Sequence, residues 1–77
     1  MKKLFCKIAK DNGYSISDYK TERSDMGMVC FEFMCDNGNF RFTHHCSYAF
    51  GASKHGGKTT IINIFKDRLK STNPLLF

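Results

Sequence analysis

The residues of this sequence whose types could do chemistry fall into two groups: a cysteine–histidine cluster in the middle and a lysine-flanked glycine pair further on. Cys30, Cys35, His44, His45 and Cys46 lie close together in the chain. A zinc site needs about four such ligands converging tetrahedrally, usually from pairs two to four residues apart. Cys30 and Cys35 are an odd number of positions apart, so on one strand they point to opposite faces. At most two of the set then share a surface, and the thiols read as small buried hydrophobes rather than metal ligands. Cys30 and His45 are expected to lie across from one another, which raises a nucleophile–base pair. A flat sheet face, however, offers no pocket, no third orienting group and no oxyanion donors. Neither a catalytic constellation, nor a metal site, nor a cofactor site is expected.

The second group is Gly56-Gly57-Lys58-Thr59-Thr60, which has the look of the end of a Walker A loop. That pattern needs glycine five positions before Gly57, where this chain has Ala52. It also needs a parallel sheet of βαβ units and a magnesium-binding acid on another strand, which a short chain built on an antiparallel hairpin cannot supply. What remains is a glycine-rich helix start, able to hold an anion through free backbone N–H groups and the positive helix end. Lys54 and Lys58 are four apart and share a face if the helix begins early enough, with His55 close by.

The elements that must position these residues are readable along the chain. Apolar Leu4, Phe5, Ile8 and Ala9 alternate with Lys2, Lys3, Lys7 and Lys10, the spacing of an amphipathic helix over Lys2 to Asp11. Asn12-Gly13 is its stop. Ser15 to Glu22 predicts an edge strand, and Arg23 to Gly27 a turn. Met28 to Cys35 and Phe40 to Cys46 flank an Asn37-Gly38 pair, which predicts a hairpin with a two-residue turn. That register sets Phe33 against Phe42 and Phe31 against His44. Val29, Phe31, Phe33, Cys35, Phe40 and Phe42 then take the core face, and Met28, Cys30, Glu32, Met34, Arg41, Thr43 and His45 the other. After a loop of Ser47 to Gly57, Lys58 to Ser71 predicts a second helix with Ile61, Ile62, Phe65 and Leu69 buried. Pro74 ends it, and the Leu75-Leu76-Phe77 tail is expected to cover a core edge. The fold class is therefore α+β, in the order α-β-β-β-α, with two helices on one face of an antiparallel meander.

The 77 residues allow one small domain, 1–77, with 42% apolar and 25% charged residues, an ordinary globular balance. Phenylalanine occurs eight times and tryptophan never, so the core is expected to be built on phenylalanine. The scarcity of alanine beside many Lys, Asn, Ile and Phe fits an AT-rich coding genome such as many phages have. No run approaches the ~20 apolar residues of a membrane span, and the first residues lack the apolar stretch of a signal peptide, which predicts a reducing, cytoplasmic setting without disulfides. Twelve Lys/Arg against seven Asp/Glu give +5, which suits an anionic partner.

The element order and several residues resemble the double-stranded RNA-binding domain. Phe5, Ile8, Ala9, Asn12 and Gly13 stand where that family has Leu-x-x-Leu-Ala-x-x-Asn-Gly, and Tyr19 where a tyrosine opens the first strand. Ser53-Lys54-His55-Gly56-Gly57-Lys58 stands where the second helix begins Ser-Lys-Lys-x-Ala-Lys, followed by Ile61-Ile62 for a small apolar pair. The turn reads Arg23-Ser24-Asp25-Met26-Gly27, without the family's Gly-Pro-x-His. The resemblance implies a non-enzymatic module that grips A-form duplex RNA by shape. It implies phosphate contacts from Lys54, His55 and Lys58, and backbone contacts from Lys2, Lys3, Lys7 or Lys10. A different class fits the same composition: a small phage- or virus-type factor that binds and modulates a host protein. Its contact surface would be the open sheet face with Met28, Cys30 and Met34, or the apolar tail. Self-association into a homodimer through an exposed strand edge is compatible with either.

Overall fold

Five elements make up the fold of this chain in a computed structural model that describes residues 1–51 and 56–72: α1 (Lys2–Asp11), β1 (Ser15–Arg23), β2 (Met28–Asp36), β3 (Arg41–Ala49) and α2 (Gly57–Thr72). This is an α+β fold with an open three-stranded antiparallel sheet in the order β1-β2-β3. The apolar tail and the segment holding Lys54 and His55 lie outside the described residues.

In α1 the three- and four-residue spacing buries Phe5, Ile8 and Ala9, whereas Leu4 is turned outward and is 44% exposed. The helix stops where the sequence says it should. Gly13 takes φ +82°, and the N–H groups of Asn12 and Gly13 return to the carbonyls of Ala9 and Lys10, satisfying groups that the helix end leaves open. The Asn12 side chain adds a bond to the Ile8 carbonyl at 2.8 Å.

Strand β1 is interrupted by a bulge. Ser17 pairs with Met34 and Lys20 with Glu32, so Asp18 and Tyr19 together oppose Phe33. Asp18 absorbs the extra residue at φ +53°, a conformation aspartate tolerates better than most. Tyr19 consequently turns inward and stacks on Phe33 at 5.9 Å, while Lys20 faces the open side. Tyr19 is thus the fifth residue of β1 and does not open it; buried Tyr14 directly precedes the strand.

The β2–β3 hairpin forms, but its register differs by two from the expected one. Cys35 pairs with Phe42, Phe33 with His44, Phe31 with Cys46, and Glu32 with His45. The connection holds four residues, Asn37 to Phe40, instead of two. Side-chain acceptors build it: Asn37 Oδ1 takes the N–H groups of Asn39 (2.9 Å) and Phe40 (2.7 Å), and Asp36 Oδ1 that of Gly38 (2.6 Å). Such Asx bonds favour a wider loop over a type I′ turn, and only Gly38 in this loop takes positive φ, at +92°. A slip of two keeps every side chain on its face. It removes Phe40 from the core, however, leaving it 45% exposed outside the strand, and it moves Cys30 from His45 to Ser47. Strand β3 also runs three residues further than expected, to Ala49, and buries Tyr48.

Gly38→Val is expected to lower stability by about 1–2 kcal/mol, seen as a lower urea midpoint at constant slope. A β-carbon there meets nothing within 4 Å, so the loss comes from the dihedral alone, and Gly38→Asn should cost less.

Both helices cover the same face. Phe5 of α1, Phe33 of β2 and Phe65 of α2 form the centre, with ring centroids 4.9, 5.2 and 5.5 Å apart. Ile61, Ile62 and Leu69 complete the α2 contribution. Among the described residues, the one polar or charged side chain buried in the core is that of His44, 2% exposed. No helix among the described residues is long and apolar enough to cross a membrane.

Candidate nucleic-acid interface

Charge is divided unevenly between the layers. The two helices carry eight Lys/Arg against two Asp, whereas the strands and their turns carry three Lys/Arg against five Asp/Glu. A molecule of modest net charge thus concentrates its positive potential on the helical side. Among the sequence-selected residues, Lys3, Lys7 and Lys10 are all exposed, and their spacing of four and three makes a single stripe on α1. That stripe lies opposite Phe5, Ile8 and Ala9 and points away from the sheet. Lys58 is exposed in the first turn of α2.

The direction of the helices adds to this. Along α2, Phe65 meets His44 (5.0 Å) and Arg68 meets Phe42 (4.4 Å), so α2 runs opposite to β3. Along α1, the Ala9 carbonyl accepts from Tyr14 N–H and the Lys2 ammonium sits 5.7 Å over Tyr19, so α1 runs opposite to β1. Since β1 and β3 are parallel in space, both helix N-termini reach the same end of the sheet. The β1–β2 turn lies there too, tied to the end of β3 by a 2.7 Å bond from Phe50 N–H to the Gly27 carbonyl and by Arg23 stacked 3.9 Å over the Phe50 ring. Neither helix has an acid in its first turn; α1 begins with Lys2 and Lys3, and α2 with Gly57-Lys58. A cation beside a helix N-terminus opposes the macrodipole by about 0.3–1 kcal/mol. Two such starts side by side form an end that a bound anion would relieve. The Walker-like segment contributes only its N-terminus here, with Thr60 N–H and hydroxyl both donating to the Gly56 carbonyl (2.9 and 3.0 Å).

The cysteine–histidine cluster is dispersed by the sheet. Cys35 is fully buried, and burial pushes its thiol up to about 11; Cys46 is likewise raised to about 11 by burial, then by nearby Cys30. Both thiols are held protonated at neutral pH, the opposite of an activated nucleophile. On the open face, Glu32 lies between Lys20 (3.8 Å) and His45 (3.3 Å) in a shallow hollow also lined by Glu22, Cys30 and Ser47. Among the described residues, no group of three or more His, Cys, Asp or Glu could hold a metal ion.

The common direction of the two helix starts is what sequence reasoning missed, because direction follows from topology and not from any local pattern. No protein-family model matches the chain, and no curated protein or solved structure matches it either.

Proposed function

We propose that this domain is a non-enzymatic nucleic-acid-binding module that grips a duplex through its helical layer. The observation that carries the reading is the charge segregation, with both positive helix ends at one edge of the basic layer. A phosphate backbone is a regular array of anions, and an extended stripe such as Lys3, Lys7 and Lys10, with Lys58 exposed at the start of the other helix, matches it better than it matches a single small anion. Duplex RNA is favoured over DNA on the resemblance to the double-stranded RNA-binding domain. Lys54 and His55 belong to the same proposed interface.

The test is fluorescence anisotropy on a blunt RNA duplex across a salt series. With about four phosphates neutralised, log K should fall with log salt at a slope of about −3 to −4, and Lys58→Glu should make that slope shallower by about 1. The triple variant Lys3→Glu, Lys7→Glu, Lys58→Glu should abolish binding while keeping its fold, because all three side chains are exposed. Absence of binding to duplex RNA, duplex DNA and single strands at low salt would sink the reading.

The rival, a small phage-type factor that binds a host protein, draws on the open sheet face. Met28, Cys30 and Met34 are half-buried there beside the hollow, and methionine gives an adaptable contact surface. A lysate pull-down with and without nuclease separates the two: capture that survives nuclease favours the rival.

A further inference from the structure

We infer that the outer edge of β3 pairs with β3 of a second copy of this chain, across a two-fold axis at His45. The two edges of the sheet are not equivalent. On β1 the bulge at Asp18 and Tyr19 breaks the ladder and twists the edge, a device that prevents strand addition. On β3, Arg41 to Ala49 pairs with β2 through nine consecutive residues without a shift, and it contains no proline. Among the described residues, nothing continues the sheet beyond it.

The occupant follows from the sequence of that edge, which is nearly palindromic in side-chain character. About His45 the order is Phe42, Thr43, His44, then Cys46, Ser47, Tyr48. Antiparallel two-fold pairing sets Phe42 against the second copy's Tyr48 and Thr43 against its Ser47, each twice. An aromatic pair on the core face and a hydroxyl pair on the open face are among the favourable cross-strand combinations. Tyr48 already stacks on Phe31 at 6.1 Å and Phe42 packs edge-on against Tyr14 at 5.7 Å, so the aromatic layer would continue across the junction. No acidic residue and only Arg41, opposite Ala49, brings a fixed charge to the pairing. The axis stands perpendicular to the sheet, so all four helices fall on one side and the basic layer doubles in width. This pairing does not depend on nucleic-acid binding.

Sedimentation equilibrium on nuclease-treated protein, from micromolar to millimolar, tests it. The mass is expected to rise from 8.9 kDa towards twice that value. Thr43→Lys with Ser47→Lys puts like charges opposite each other at two places and should weaken the dimer at least about tenfold. Thr43→Lys with Ser47→Glu makes the same places complementary and should restore it to near the wild-type value. Both side chains are exposed, so far-UV circular dichroism should be unchanged in both variants. A wild-type mass that stays monomeric throughout, or two double variants that associate equally, overturns the inference.

Discussion

Phe33→Ala should cost the domain a large part of its stability and move its urea midpoint far down. Phe33 sits on the central strand with no exposed surface, and its ring meets Phe5 (4.9 Å), Phe65 (5.2 Å), His44 (5.5 Å) and Tyr19 (5.9 Å). It therefore touches both helices and both neighbouring strands. Truncating such a side chain costs about 3–5 kcal/mol in lost transfer energy and residual cavity. A chain of this size has roughly 4–12 kcal/mol in total. Phe33→Leu keeps most of the volume and should cost about 1–2 kcal/mol. Phe40→Ala, at a half-exposed loop position, should change stability by less than about 0.5 kcal/mol. Urea titrations followed by circular dichroism give all three values, and equal effects at Phe33 and Phe40 would contradict the observed register.

The second large effect is on pH dependence, and it comes from His44. Its ring lies between Phe33 and Phe65, and its Nδ1 is 3.1 Å from an Arg68 guanidinium nitrogen. Arginine can only donate, so Nδ1 accepts and the ring proton sits on Nε2, which is buried without a hydrogen-bond partner among the described residues. Burial first, then the Arg68 cation, then His45 lower the His44 pKa from 6.5 to about 4. Between those values the unfolded chain takes up a proton that the folded one refuses. The His44 contribution is therefore constant above about pH 6.5 and is lost progressively as pH falls towards 4. The loss amounts to about 3 kcal/mol. The urea midpoint should fall steeply across this window. His44→Phe should flatten that part of the profile, because the group that takes up the proton is gone. A wild-type midpoint that holds constant from neutral pH down to the bottom of the window would refute the assignment.

Much of this fold was legible from periodicity, since both helices, the three strands and the core face announce themselves in residue spacing. The details that were not legible depend on side chains competing with the pattern. Asn37-Gly38 carries the signature of a tight turn, but the neighbouring Asp36 and the Asn37 amide oxygen bond the backbone of a wider loop, and the register shifts by two. His44 shares the parity of Phe42, yet hydropathy gives no reason to bury it; the reason is Arg68, twenty-four residues away in the chain. Aspartate at position 18 is compatible with positive φ but does not demand it, so the bulge left no advance sign. Of the candidate interface, the lysine stripe on α1 and the basic start of α2 could be read directly. The meeting of the two helix starts at one end of one layer required the strand directions.

Asp18 is the single supernumerary residue of β1, because Ile16, Tyr19 and Thr21 would face the core in simple alternation if it were absent. Its effect can be stated as valence. A sheet with two clean edges is bivalent and can add copies without end, as a ribbon; a sheet with one clean edge is monovalent, and its assembly stops at a pair. On that view Asp18 contributes little to the core of its own molecule. If β3 pairs as inferred above, Asp18 is what stops the assembly at two copies, and losing it would open the pair into a polymer while scarcely altering the fold of each copy.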